Sequence, residues 1–220
     1  LYIVEDCDAK IIILSAQYCT QELVDAIQQL EKKPIIFVLD DSNVSGIIKL
    51  DSLLKMASIQ VNRTLLEGNE MLYSAGTTGQ PKGIKPELTR LPVGTTEIIA
   101  NQVEKAFAVT DQTIYLSPAP YYHAAPVKWC RAILTLGGTV VLMEKFEAEK
   151  ALETIEKYKI THSQWVPTMF HRILDLPLSI LNQYDYSSLK VVIHAAAPCS
   201  IPTKQKMIEW WGPIIYEYLW

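Results

Sequence analysis

A segment rich in glycine and hydroxyl side chains spans residues 73–83 and reads Tyr-Ser-Ala-Gly-Thr-Thr-Gly-Gln-Pro-Lys-Gly. Glycine lets the backbone approach a ligand closely and adopt positive φ angles, so successive N–H groups can point at one anion. Ser74, Thr77 and Thr78 add hydroxyl donors. Lys82 adds a positive charge on a flexible stem. These residue types in this order predict a loop that binds phosphate.

Two common phosphate-binding motifs do not fit this loop. A P-loop reads G-x-x-x-x-G-K-[ST], whereas Gly76 and Gly79 are three residues apart. Gly83 follows Lys82, where a P-loop has serine or threonine, and the dinucleotide motif G-x-G-x-x-G is absent. A flexible surface loop is the alternative, because glycine, serine, threonine and proline also form ordinary turns. The unusual residue order favours phosphate binding.

Two further segments place chemically useful residues directly after a predicted strand, where open α/β sheets bind ligands. Residues 117–126 read Ser-Pro-Ala-Pro-Tyr-Tyr-His-Ala-Ala-Pro and contain His123. Residues 194–199 read His-Ala-Ala-Ala-Pro-Cys, and their small side chains would let a flat ligand approach the backbone. The simpler interpretations are a proline-rich connection with an ordinary histidine, and close packing of a helix on a strand.

The glycine-rich loop resembles the signature loop of the adenylate-forming superfamily, which comprises acyl-CoA synthetases, adenylation domains and luciferases. The family pattern is Ser/Thr-Ser/Gly-Gly-Thr-Thr-Gly-x-Pro-Lys-Gly. Residues 74–83 match it, with alanine in a position that serine or glycine usually holds. The resemblance implies that Lys82 offsets charge on the leaving pyrophosphate. It also implies an ATP-binding set consisting of Ser74, Ala75, Gly76, Thr77, Thr78, Gly79 and Lys82.

The other two segments are similar to family segments that follow the phosphate loop in the same order. His123 matches an aromatic or histidine position beside the substrate carboxylate and the α-phosphate, which implies a catalytic role. Its context, Tyr-His-Ala-Ala-Pro, is similar to the fatty acyl-CoA synthetase subgroup. A Gly/Ala-Ala-Ala-Pro segment lies along adenine in the family, which implies that Ala196, Ala197 and Pro198 contact the base. Residues 161–170 resemble the stretch that borders the acyl pocket, although plain packing is the simpler explanation for each single residue.

The resemblance implies an ATP-dependent reaction that activates a carboxylic acid, by subgroup a fatty acid, and transfers it to coenzyme A. The implied partners are this acid, ATP and coenzyme A, with Mg²⁺ bridging the phosphates and no metal ligand within the chain. The family's Gly-Thr-Glu segment, ribose-binding aspartate and C-terminal lid domain have no counterpart here, and the sequence begins without methionine. We therefore expect a fragment that does not turn over by itself. The alternatives are a non-catalytic nucleotide- or acyl-binding module, and an unrelated α/β protein with a structural glycine loop.

Composition limits the class of protein. The 220 residues are 49% hydrophobic and 20% charged, which is typical of a globular protein, and the net charge of −4 argues against a nucleic-acid-binding surface. The four cysteines form no C-x-x-C pair, which favours reduced thiols in a cytoplasmic protein over a zinc site or a disulfide framework. No apolar run approaches the roughly 20 residues of a membrane span.

The elements that must position these segments alternate between strand and helix, which predicts an α/β fold with mostly parallel sheets and helices on both faces. The resemblance makes this part of the large N-terminal domain of an adenylate-forming enzyme. We predict a partial α/β subdomain over residues 1–66 and an ATP- and acyl-binding subdomain over residues 67–220. The run Met71-Leu72-Tyr73 predicts the end of a buried strand, which would place the phosphate loop at the carboxyl end of a strand in an open α/β sheet. The predicted strands are 9–16, 35–39, 113–117, 139–143, 161–166, 189–194 and 214–218, and the predicted helices 21–32, 50–57, 96–107, 124–136, 147–158, 167–174 and 201–211.

Overall fold

The computed structural model describes residues 1–56, 65–74, 79–93, 95 and 98–218. The chain divides into two compact units, Leu1–Val93 and Gly94–Trp220. The subdomain boundary expected after residue 66 stays a prediction, because residues 57–64 beside it lie outside the described part of the chain.

The first unit contains a three-stranded parallel sheet in the order β1-β2-β3. Its strands are β1 (Ile11–Leu14), β2 (Ile35–Val38) and β3 (Ile48–Lys49), and its helices are α1 (Tyr2–Asp6), α2 (Gln21–Gln28) and α3 (Leu50–Met56), with a 3₁₀ turn at Ala16–Tyr18. Val24 and Ile27 of α2 pack with Ile36 and Val38 of β2 into a core on one face of the sheet. An amphipathic helix thus covers one side of this small sheet.

Local signals decide where α2 begins and ends. The Thr20 hydroxyl accepts a hydrogen bond from the Leu23 N–H at 3.2 Å, which confirms the predicted N-cap. The helix ends at Gln28, four residues before the predicted end at residue 32. The chain leaves the α-helix through a tighter turn, in which the Leu30 N–H donates to the Ile27 carbonyl, three residues back, at 3.1 Å.

The predicted strand before the glycine-rich loop exists, but it belongs to a different kind of sheet. β4 (Leu72–Ser74) pairs with β5 (Lys82–Ile84) as a two-stranded antiparallel sheet, with Ser74 opposite Lys82. The expectation of a buried strand in an open parallel sheet is therefore wrong, and β4 is only partly buried. The seven residues between these strands are too few for the crossover of a dozen or more residues that parallel pairing requires.

The second unit is built on a five-stranded sheet in which every pair of neighbours is parallel. The strand order is β10-β9-β8-β6-β7. The strands are β6 (Ile114–Ser117), β7 (Thr139–Leu142), β8 (His162–Trp165), β9 (Val191–His194) and β10 (Ile215–Glu217). All four residues of both β8 and β9 are buried, as expected for central parallel strands that are covered on both faces.

Helices lie on both faces of this sheet, as predicted. One hydrophobic core joins α4 (Ile98–Phe107) and α5 (Ala124–Thr135) to the sheet through side chains that include Val103, Trp129, Tyr115 and Ile193. The other core joins α6 (Ala148–Tyr158), α7 (Pro167–Leu174), α8 (Leu178–Leu181) and α9 (Ile201–Trp211) to the sheet. Successive residues such as Tyr115 and Leu116 belong to opposite cores, because side chains alternate along a strand.

The four cysteines are free thiols, as predicted. Within the described ranges, no helix has both the length and the apolar character that crossing a membrane requires.

Candidate active site

A cavity of about 610 Å³ lies in the second unit, at the carboxyl ends of β6, β8 and β9 and beside the start of α5. Ligand sites in proteins commonly measure roughly 300–1,000 Å³. The carboxyl edge of a parallel sheet is also where open α/β folds bind ligands. The cavity is lined by Ala119, His123, Ala124, Ala125, Pro126, Lys128, Gln164, Trp165, Val166, Ala195 and Ala196.

His123 reaches this cavity because it is the residue immediately before α5. Its backbone is extended, with φ −77° and ψ 150°, which is the usual conformation of an N-cap residue. The imidazole makes no capping hydrogen bond to the helix, and its ring centre lies 4.5 Å from that of Tyr122. The imidazole is exposed and lines the cavity, so it can hydrogen-bond to a ligand there.

The alanine segment after β9 contributes one wall of the cavity. Ala195 is buried, and Ala196 borders the cavity with a φ of 71°. A positive φ is uncommon for a residue with a Cβ atom, so the chain turns sharply here at some conformational cost. Ala197 and Pro198 are exposed and are not among the lining residues. The structure thus brings Ala196 and His123 to one cavity, and the adenine contact of all three wall residues stays a prediction.

The predicted phosphate loop belongs to the first unit, where its residues follow β4 and precede β5 in the chain. Ser74 and Lys82 face each other in register at the base of the loop, and both are exposed. Gly79 has a φ of 91°, a conformation that glycine adopts without steric cost. The ATP-binding roles of these residues stay predictions. The remaining predicted loop residues, Ala75, Gly76, Thr77 and Thr78, lie outside the described residues.

Sequence reasoning did not single out His194, which the structure buries completely at the end of β9. Neither ring nitrogen has a hydrogen-bond partner among the described residues. The ring packs edge-on against Phe170, with 5.7 Å between ring centres, and Nδ1 lies 3.9 Å from a carboxylate oxygen of Glu217. Burial lowers the pKa of His194; Glu217 opposes this shift and Lys204 adds to it. The imidazole is therefore neutral at pH 7.

We expect His194→Phe to lose less stability than the natural protein when the pH is lowered. A pKa below the ordinary value of 6.5 means that the unfolded chain binds this proton more tightly than the folded chain. The stability contributed by neutral His194 is thus complete above pH 6.5 and falls as the pH drops toward the folded-state pKa. Thermal midpoints measured between about pH 8 and pH 5 should fall less in the variant than in the natural protein.

The matched control for this prediction is His171→Phe, because His171 is exposed on α7. Comparing the two variants separates the effect of a buried histidine from that of an exposed one. His162, whose pKa burial also lowers, should preserve a residual acid sensitivity in the His194 variant. Identical pH profiles for the His194 variant and the natural protein would contradict the assignment.

The parallel sheet, covered by helices and carrying a cavity at its carboxyl edge, defines an α/β protein with a cavity where open α/β folds bind ligands. The chain belongs to the AMP-binding enzyme family, which it matches over residues 1–220. This match confirms the predicted family.

Curated relatives of this chain include CoA ligases. It is 29% identical over 210 residues to 4-coumarate–CoA ligase 1 of Narcissus pseudonarcissus. The matched region covers 91% of this chain and 36% of that protein. It is 29% identical over 151 residues to the medium/long-chain-fatty-acid–CoA ligase FadD8 of Mycobacterium tuberculosis. This matched region covers 67% of this chain and 24% of that protein. The chain thus spans about a quarter to a third of the length of these relatives.

The fold is also found in solved structures. ATP-bound MatB from Rhodopseudomonas palustris superposes with a TM-score of 0.74 at 20% identity, over 100% of this chain and 41% of that one. At this identity the likeness concerns the fold alone. It confirms the predicted α/β architecture.

Proposed function

We propose that this chain supplies the ATP- and acid-binding part of an acyl-CoA ligase, which joins a carboxylic acid to coenzyme A through an acyl-adenylate. The observation that carries the proposal is the cavity that His123 and Ala196 border at the carboxyl edge of the parallel sheet. Membership of the AMP-binding enzyme family supports it, as does the presence of CoA ligases among the relatives.

The reaction has two halves. The carboxylate of the acid attacks the α-phosphorus of ATP, which forms an acyl-adenylate and releases pyrophosphate. The thiol of coenzyme A then attacks the acyl carbon, which forms the thioester and releases AMP. The first half is a displacement at phosphorus, so positioning of the reactants and neutralisation of charge are the main contributions that protein groups can make.

Within this chain, His123 is proposed to orient the carboxylate, because its imidazole is an exposed hydrogen-bonding group that lines the cavity. Lys82 is proposed to offset negative charge on the pyrophosphate as it leaves. Mg²⁺, when bound, would neutralise phosphate charge. No group of three His, Cys, Asp or Glu side chains suited to a metal occurs among the described residues, so no magnesium ligand is assigned to them.

The cavity lining favours an acid with a substantial organic tail. Alanine, proline, valine and tryptophan side chains form most of the wall, and such surfaces bind hydrocarbon by removing it from water. A fatty acid is accordingly the proposed substrate class. Coenzyme A is the proposed acceptor, and the cytoplasm the proposed site of action.

The proposal is tested by exchange of labelled pyrophosphate into ATP, in a protein of the relatives' length that contains residues 1–220. We expect acid-dependent exchange, and we expect His123→Ala to reduce it on the order of 10²-fold, since misplacing a reacting group costs about that much. His171→Ala is the matched control, because it removes an exposed histidine of α7 that does not line the cavity. Nucleotide binding without any exchange would favour a non-catalytic binding module instead.

A further inference from the structure

One side chain in the cavity wall is both polar and almost fully buried. Gln164 is 6% exposed and stands next to the last residue of β8, among mainly small and apolar neighbours. A buried amide without partners is costly, so its hydrogen bonds indicate what the site is built to hold.

Two tyrosine hydroxyls hold the Gln164 amide in one orientation, and a tryptophan supports one of them. Its Nε2 donates to the hydroxyl of Tyr218, and its Oε1 accepts from the hydroxyl of Tyr115 at 3.4 Å. The Tyr218 hydroxyl also accepts from Trp129 Nε1 at 3.2 Å, and the rings of Trp129 and Tyr115 stack with 6.0 Å between their centres. Because Tyr115 and Trp129 are themselves buried, the amide cannot turn freely.

This arrangement leaves one donor of the amide unused. A glutamine amide carries two N–H donors, and Tyr218 takes one of them. The second N–H has no protein partner among the described residues, while the side chain borders the cavity. A buried donor without a partner destabilises the folded protein, because it has lost its hydrogen bonds to water. A ligand with an acceptor at this point would remove that cost.

The position of Gln164 relative to His123 indicates which part of an acid would meet it. His123 is an exposed residue of the cavity lining, whereas Gln164 is buried in its wall. Both residues line one cavity, so we place the carboxylate of the acid beside His123 and its tail along the wall that contains Gln164.

Resting on the proposed function, we propose that Gln164 makes the site select acids whose tail carries a hydrogen-bond acceptor, such as a hydroxy or oxo group, over plain alkyl acids. An apolar wall discriminates weakly between such compounds. A fixed buried donor discriminates more strongly, since the plain acid leaves that donor unpaired.

The test measures, by titration calorimetry, the affinity of the chain for octanoate and for its 6-, 7- and 8-hydroxy derivatives. We expect at least one hydroxy acid to bind about tenfold more tightly than octanoate, as one additional hydrogen bond allows. Gln164→Met, which keeps the size and removes the donor, should abolish this preference. Gln183→Met makes the same change at an exposed position outside the cavity and should keep the preference.

Affinities measured with the natural protein alone test the proposal, even if Gln164→Met does not fold. Equal binding of octanoate and all three hydroxy acids would overturn the selectivity and leave the proposed function standing. Binding of none of the four acids would overturn the acid site itself, and with it the selectivity. A preference that persists in folded Gln164→Met would assign the selectivity to another residue.

Discussion

Replacing Trp165 by alanine is expected to lower the free energy of unfolding by about 3–5 kcal/mol. The side chain is 1% exposed, and the rings of Phe146, Phe170 and Trp211 surround it, with ring centres 5.9–6.3 Å away. Its indole N–H donates to the Ser163 hydroxyl at 2.7 Å. Truncation would leave a large void between the sheet and its helices, because several separate elements meet at this one ring.

The measurement is urea unfolding followed by far-ultraviolet circular dichroism, since the substitution removes a fluorescent probe. Trp210→Ala is the matched control, because it removes the same side chain from a partly exposed position against Tyr186 and Trp211. We expect the control to cost about 1 kcal/mol, near the average for single substitutions. Equal losses in the two variants would show that Trp165 is not a centre of the core.

Lys82→Ala is expected to reduce adenylation on the order of 10³-fold, with little change in stability. Lys82 is exposed on β5, directly opposite Ser74 at the base of the predicted phosphate loop. Pyrophosphate gains charge as it leaves, and an ammonium group placed beside it stabilises that change more than it stabilises bound ATP. An exposed side chain contributes little to the folded state, so its loss should affect chemistry and leave folding unchanged.

The assay for this variant is pyrophosphate exchange in a protein of the relatives' length that contains the chain, together with its thermal midpoint. Lys85→Ala removes the same charge three residues further along, at an exposed position beyond the end of β5. The control should retain exchange within a small factor of the natural rate. Unchanged exchange in Lys82→Ala would remove Lys82 from the proposed mechanism.

Elements with strong local signals were predictable from the sequence. Helix α7 spans Pro167–Leu174 and α9 spans Ile201–Trp211, as predicted. Proline at the first turn favours these starts, the Ser200 hydroxyl caps α9, and Gly212 follows its last residue. Short elements were missed, among them α1, α8 and β5. Helices of four or five residues are too short to be stable by themselves, so local propensity does not reveal them.

The candidate site was predictable where one continuous segment carries its signal. The segments around His123 and Ala196 were identified by resemblance, and the structure brings both residues to the cavity. The contacts of Gln164 were not predictable, because they join residues 49 and 54 positions apart along the chain. The complete burial of His194 was not predictable either, because it results from elements that are distant in sequence and pack around the ring.

The strand order of the larger sheet bears on how the chain can fold while it is being synthesised. After β6 emerges, β7 can add to one side of it, and β8, β9 and β10 can then add to the other side in chain order. Among these five strands, none has to enter between two that are already paired. Because ribosomes release the N-terminal part first, each newly synthesised strand can pair with an edge of the sheet that is still unpaired. The sheet can therefore grow outward during translation, without reopening hydrogen bonds already made.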